Sequence, residues 1–155
     1  MFTLVIGTLF AAAAVDVPAA YADNKRLNSS VAANVYTVQR QAGCPSGVTL
    51  DARLSRAAQT HTIDVLNNRS LDADLGSDGS TPQARAEAAG YRGKVSVTVA
   101  INPALAISGI EILHQWYYNA IDFAIMTDCA NADIGVWSES VLDRTVVVAV
   151  YGQPL

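Results

Sequence analysis

The stretch from residue 145 to residue 151, TVVVAVY, constrains the fold most, because it is almost entirely apolar and rich in β-branched side chains. Such residues favour strands, and the run shows no alternation of apolar and polar positions, so we expect a strand covered on both faces. A second strand is predicted at residues 134–138. The turn near residues 141–143 between the two is short, which indicates an antiparallel pair.

A strand hidden on two sides needs one layer of structure above it and another below it. Helical periodicity supplies candidates at residues 27–42, with Asn28 or Ser29 as the cap, at residues 51–67, capped by Asp51, and at residues 102–118. In the last of these, Ile110 and Tyr117 belong to the apolar face. The chain is therefore predicted to be α+β, a three-layer α-β-α sandwich with a mainly antiparallel sheet.

Two further elements lie in the middle of the chain. Pro82 and Gly90 bracket a short helix that Ser80 or Thr81 can cap. Residues 94–101 then alternate strictly between valine or isoleucine and smaller or polar residues, which predicts a strand with one buried face.

The N-terminus carries an apolar run at residues 2–15, followed by small residues at Ala20 and Ala22. This pattern predicts a signal peptide over residues 1–22, cleaved before Asp23, and a single domain over residues 23–155. No lysine or arginine precedes the run, so an uncleaved anchor is the alternative. The run is shorter than the roughly 20 apolar residues that a membrane span requires.

Cysteine usage agrees with export. Cys44 and Cys129 are the only two cysteines, and an even pair in an exported chain most often forms a disulfide. Two separately buried thiols are the alternative if the chain stays in the cytosol. We therefore expect a secreted or cell-envelope protein.

The charge of the chain argues against nucleic acid as a partner. The formal net charge is -4, and the ten basic residues are scattered along the chain. No cluster of them could neutralise a run of phosphates, so we expect no nucleic-acid partner.

Four motifs in order resemble a known family. They are LDARLSRAAQTHTIDV at residues 50–65, GSDGSTP…R…AGY at residues 76–91, Trp116, and the triplet Ile134-Gly135-Val136. Together they are similar to the bacterial branch of the CAP superfamily, which groups cysteine-rich secretory proteins, venom antigens and pathogenesis-related proteins. The resemblance covers about residues 27–151 and implies the same three-layer fold.

The family typically presents two histidines with acidic partners, a set that can hold a divalent metal such as zinc. By position, the resemblance places Asp74 and Asp122 where those histidines would stand. The glutamate of the family's Gly-Glu-Asn-Ile segment is absent from residues 96–100, and Asn119-Ala120-Ile121 replaces Ser-Pro-Gly. Because zinc prefers imidazole and thiolate ligands, we expect a degenerate site without metal or cofactor. If the two aspartates converge, they would repel and share a proton or a calcium-like ion; the alternative is two solvated loop carboxylates.

The two histidines have different settings. His61 falls on the apolar stripe of its helix, where a histidine is more often structural, and we assign it no chemistry. His114 lies with Glu111 and Tyr118 on a polar strip that could form the wall of a groove. The candidate ligand-groove residues are thus Asp74, Glu111, His114, Tyr118 and Asp122, with no catalytic residue assigned.

These observations favour binding over catalysis. The predicted function is an exported CAP-like domain that binds either a small apolar or lipid-like ligand or a protein of the cell envelope. The alternative is a hydrolase of the esterase or peptidase kind, since the members of a serine–histidine–aspartate set need not be neighbours in sequence.

Overall fold

The computed structural model describes residues 19–71 and 74–155. Most of the predicted leader, residues 1–18, lies outside the described residues. No helix in the described part is long and apolar enough to cross a membrane. The elements are, in order, α1 (Ala19–Gln41), β1 (Thr49–Leu50), α2 (Ala52–Asn67), α3 (Pro82–Ala88), β2 (Gly93–Asn102), α4 (Gly109–Tyr117), α5 (Ala120–Thr127), β3 (Asp133–Val141) and β4 (Arg144–Pro154).

The four strands form one sheet in the order β1-β3-β4-β2. β4 lies inside the sheet and pairs antiparallel with both β2 and β3, as the sequence predicts for the apolar run. Every residue from Thr145 to Tyr151 is buried, which confirms that both faces of this strand are covered. β1 pairs in parallel with β3, so the sheet is mixed rather than purely antiparallel.

Alternate side chains of β4 enter two separate cores. Val147, Ala149 and Tyr151 pack among buried residues of α1, α4 and α5. On the other face, Val146 and Val148 pack among buried residues of α2 and α3. The predicted three-layer sandwich is confirmed.

Local sequence explains where α2 and α3 begin. The Asp51 side chain accepts hydrogen bonds from the backbone N–H groups of Arg53 and Leu54, which otherwise lack partners at a helix start. Thr81 caps α3 in the same way, and Gly90, with φ +89°, takes the left-handed conformation after the helix end. These predictions are confirmed.

Two predicted helix starts are wrong. The first helix begins at Ala19, so Asn28 lies inside it, where its side chain accepts a hydrogen bond from Ser138 instead of capping. The third begins at Gly109, because Ser108 and Glu111 form a capping box there. Residues 103–108 before it are irregular.

The strand prediction for residues 94–101 is confirmed, but the expectation of one buried face is wrong. Val97 is buried on one face of β2, and Thr98 and Ala100 are buried on the other. The reason is that α3 contacts this edge strand while α4 and α5 contact it as well. Strand β1 and helix α5 were not predicted.

Cys44 and Cys129 form a disulfide, which confirms the predicted pairing over two separate thiols. It joins the loop after α1 to the loop after α5. The Gln39 side chain supports the same junction, since its Nε2 donates to the carbonyl oxygen of Asn131 at 3.0 Å.

Candidate functional site

The five predicted groove residues do not form one group. Glu111 and His114 lie on α4, and Tyr118 follows it directly. Asp122 lies in the first turn of α5, and Asp74 lies in the loop that precedes α3. The three residues at α4 and the two aspartates have different surroundings.

The outward side of α4 carries apolar and aromatic side chains. Ile112, Leu113 and Trp116 are buried, whereas neighbouring residues at both ends of the helix remain accessible: Ile110 is 68% exposed, Tyr117 49% and Tyr118 74%. Ile110 and Tyr117, predicted to lie on the apolar face of the helix, therefore belong to a part of that face that the core does not cover. The apolar side chains of α4 cover a wider arc of the helix than the core can bury. That wide arc is the feature of the sequence that could have predicted an exposed apolar surface.

A shallow groove of about 200 Å³ runs along this outward side. We call the five residues that line it the α4 face. Their spacing of three and four residues places them on one side of a helix. They are Ile110, Leu113, His114, Tyr117 and Tyr118.

Ring contacts order the aromatic end of the α4 face. The ring centroids of His114 and Tyr118 are 4.5 Å apart, and those of Tyr117 and Tyr118 are 5.5 Å apart in an edge-on arrangement. Tyr117 also meets Phe123 edge-on at 4.9 Å. Such contacts restrict the rings before any partner arrives, so less conformational entropy is lost on binding.

Glu111 has a structural role in the described chain. Its carboxylate accepts a hydrogen bond from the backbone N–H of Ser108 at 2.8 Å and so completes the capping box. This hydrogen bond lowers the pKa of Glu111. The predicted groove carboxylate is therefore engaged with its own helix terminus.

Asp122 is partly buried and lies within the electrostatic reach of Asp74. Burial raises the pKa of Asp122, and the negative charge of Asp74 raises it further. The carbonyl oxygen of Asp74 accepts a hydrogen bond from Nη2 of Arg85 at 2.6 Å, which ties its loop to α3.

A buried hydroxyl pair lies near Asp122. The hydroxyls of Thr98 and Tyr151 are 3.1 Å apart, within hydrogen-bonding distance. Burial raises the pKa of Tyr151, and the charge of Asp122 adds to that shift. The phenol is therefore neutral at physiological pH, and it offers a hydroxyl rather than a charge to this side of the sheet.

These residues do not fit the zinc site that the family resemblance suggests. Within residues 19–71 and 74–155, no three His, Cys, Asp or Glu side chains are grouped so that they could hold a metal ion. Two carboxylates without imidazole form a harder, weaker oxygen site than zinc favours. His61, the nearest histidine in sequence to Asp74, is fully buried within the layer of α2.

A family model matches most of the chain. The family model described as CAP, cysteine-rich secretory protein family, matches residues 23–151. Comparison with curated proteins gave no significant match.

Several solved structures share the fold. An outer surface protein from Borrelia burgdorferi superposes with a TM-score of 0.72 at 14% identity, over 84% of this chain and 95% of that one. An extracellular protein containing an SCP domain from Bacillus anthracis gives a TM-score of 0.74 at 12% identity, over 91% of this chain and 45% of that one. A cysteine-rich secretory protein from Staphylococcus aureus gives 0.60 at 9% identity, over 82% and 38%.

Proposed function

Because the chain belongs to the CAP family of cysteine-rich secretory proteins, we propose that it is an extracytoplasmic binding domain. Its α4 face docks apolar side chains of a protein in the cell envelope. The observation that carries this proposal is the exposure of Ile110, Tyr117 and Tyr118 on one side of one helix. Contiguous exposed apolar surface on a folded domain marks an interaction site more often than isolated apolar residues do.

The size of the groove favours a protein partner over an enclosed small molecule. Sites that enclose drug-sized ligands usually measure about 300–1,000 Å³. The groove on the α4 face measures about 200 Å³ and is shallow. It accommodates one or two apolar side chains, whose burial stabilises a complex by about 1.5–3 kcal/mol each. Tyrosine suits such a surface because it combines a large apolar ring with a hydroxyl that can stay solvated.

Two observations support an extracytoplasmic location. The disulfide between Cys44 and Cys129 would persist in an oxidising compartment and is rare in the cytosol. Two of the structural relatives are described as an outer surface protein and an extracellular protein. We extend that location to this chain as part of the proposal.

Binding is proposed rather than catalysis because the described residues offer no supported catalytic set. His61 is fully buried, and His114 is exposed and contacts the ring of Tyr118. The two family positions that the resemblance assigns to histidine carry Asp74 and Asp122. We therefore regard the site as degenerate with respect to the metal chemistry that the family resemblance implies.

Site-specific photo-crosslinking tests the proposal in the envelope of producing cells. A photoreactive residue replaces Tyr118 in one variant and Leu142 in a control. Leu142 is an equally suitable position because it is apolar and 86% exposed, but it lies in the turn between β3 and β4. We expect a discrete protein adduct from position 118 that disappears when Ile110→Ser is added.

Two outcomes would contradict the proposal. Identical adducts from positions 118 and 142 would show that the α4 face has no preferred partner. An adduct with the mass of a lipid, insensitive to protease, would replace the protein partner with the small apolar ligand.

A further inference from the structure

A second groove lies on the other side of the sheet, between α2, α3 and the loop that leads into α3. Its volume is about 390 Å³, within the range of small-ligand sites. It does not overlap the α4 face. Its lining combines two arginines with hydroxyls and small side chains, namely Arg56, Thr60, Asp78, Ser80, Ala84, Arg85, Ala88 and Ala89.

Arg85 is a buried cation in this groove, only 7% exposed. Its guanidinium donates to neutral oxygens: the carbonyl of Ser80 at 2.8 Å, the hydroxyl of Ser80 at 3.2 Å and the carbonyl of Asp74 at 2.6 Å. Within the described residues, the ion pairs are formed by Arg53 and Arg69, not by Arg85. A buried charge is costly unless it is paired, so this one favours an anion nearby.

Three carboxylates act on Arg85 at longer range, and only one of them lines the groove. Burial lowers the pKa of Arg85, and the charges of Asp74, Asp78 and Asp64 each act in the opposite direction and raise it. Asp64 is occupied by hydrogen bonds from the backbone N–H and the hydroxyl of Ser77. Asp78 is therefore the carboxylate that an anionic ligand would meet directly.

The rim of the groove offers further donors. Arg56 is exposed, and a guanidinium has five N–H groups. Among the residues that the structure describes, Arg56 donates one side-chain hydrogen bond, from Nη2 to the carbonyl of Ala89 at 2.9 Å. The hydroxyl of Ser80 accepts from Arg85 and is itself hydrogen-bonded to the carboxylate of Asp78, so it is already engaged within the protein. Thr60 donates its hydrogen to the carbonyl of Arg56 and can act only as an acceptor.

From this arrangement we propose that the groove between α2 and α3 binds a phosphate group, held by Arg56 and Arg85. Guanidinium forks match phosphate oxygens in pairs, and a tetrahedral oxyanion can meet donors from several directions at once. Ala84, Ala88 and Ala89 leave the space that larger side chains would fill. Phosphate binding in this groove does not depend on the α4 face, so either proposal can fail without affecting the other.

Nuclear magnetic resonance titration tests it on the full domain, with sodium phosphate added at constant ionic strength. The readouts are the Nε–H signal of Arg56 and the backbone amide of Ser80. Arg56→Gln should weaken phosphate binding about tenfold, since it removes charge-assisted hydrogen bonds. Asp78→Asn should tighten it about two- to fivefold by removing an opposing charge.

Arg92→Gln is the matched control, because Arg92 is exposed, lies outside this groove and carries the same charge. It should leave the affinity within about twofold, since distant exposed charges interact weakly. Equal losses in the Arg56 and Arg92 variants would overturn the proposal, as would no gain from Asp78→Asn. Binding of acetate as tight as that of phosphate would overturn the assignment of a phosphate.

Vesicles identify the source of the phosphate group. Binding to phosphatidylglycerol vesicles that is lost in Arg56→Gln supports the proposal with a lipid headgroup as the ligand. Binding of free phosphate without binding to vesicles supports the proposal with a soluble phosphate compound as the ligand.

Discussion

Removal of the disulfide by Cys44→Ala with Cys129→Ala should destabilise the domain without changing its fold. The bond links residues 85 positions apart. In the chain-entropy model, opening a loop of that length lowers the free energy of the unfolded chain by about 4–5 kcal/mol at 25 °C. Other contacts at the junction remain, since Gln39 is fully buried and donates to the carbonyl oxygens of Asp128 and Asn131. The loss therefore acts mainly on the unfolded state.

Urea denaturation followed by circular dichroism measures this loss. We compare the oxidised protein, the same protein with reductant, and the double-alanine variant. The latter two should have free energies of unfolding that agree within about 1 kcal/mol and lie about 4–5 kcal/mol below the oxidised protein. Reductant should not change the variant. A loss under about 1 kcal/mol, or a variant whose spectrum differs from that of the folded protein, would refute the reasoning.

Three further changes test the packing, the helix caps and the electrostatics. Gly135→Ala should cost about 3 kcal/mol or more in thermal denaturation, because a Cβ at this position would lie 2.1 Å from the backbone carbon of Leu54 and force α2 away from β3. Ser108→Ala removes the cap of α4 and should cost about 1 kcal/mol, measured by chemical denaturation. Asp122→Asn should stabilise the domain at neutral pH by less than about 1 kcal/mol, because burial and Asp74 raise the Asp122 pKa in the folded state and ionisation there opposes folding. Stability measurements across pH test the direction of this effect and the pH range in which it appears. The gain in stability should vanish as pH falls below 3.8, the usual pKa of the group. A gain that grows towards acidic pH would contradict the assignment.

Much of the fold follows from short-range signals in the sequence. Asp51 and Thr81 cap their helices, and the uninterrupted apolar run of β4 predicts its place inside the sheet. Each of these depends on the chemistry of a few neighbouring residues. Such signals are available to a reader of the sequence without any knowledge of tertiary contacts.

The missed elements lack such signals or depend on distant partners. Helix α5 reads AIDFAIMT, which is too short and too uniformly apolar to show a helical period, although Asn119 caps it by accepting from the N–H groups of Ile121 and Asp122. Strand β1 has two residues, and its pairing with Asp133 and Ile134 exists only once β3 is in place. The sequence therefore could not indicate a parallel strand.

The candidate surfaces were only partly predictable. His114 and Tyr118 were identified as groove residues from the sequence and do line the α4 face. Ile110 and Tyr117 were assigned to the apolar face of the helix, and only the tertiary structure shows that this face extends beyond the core. The groove at Arg56 and Arg85 lies between two helices, and no local sequence pattern shows that these helices contact each other.

The affinity of the crosslinked envelope partner, once purified, tests the central claim most directly. Binding is measured by calorimetry for the natural domain, for Ile110→Ser with Tyr118→Ser, and for Leu142→Ser as an equally apolar and exposed control. Loss of two buried apolar contacts predicts an affinity at least about tenfold weaker for the double variant, with the control within about twofold of the natural domain. An unchanged affinity in the double variant, or an equal loss in the control, would contradict binding through the α4 face.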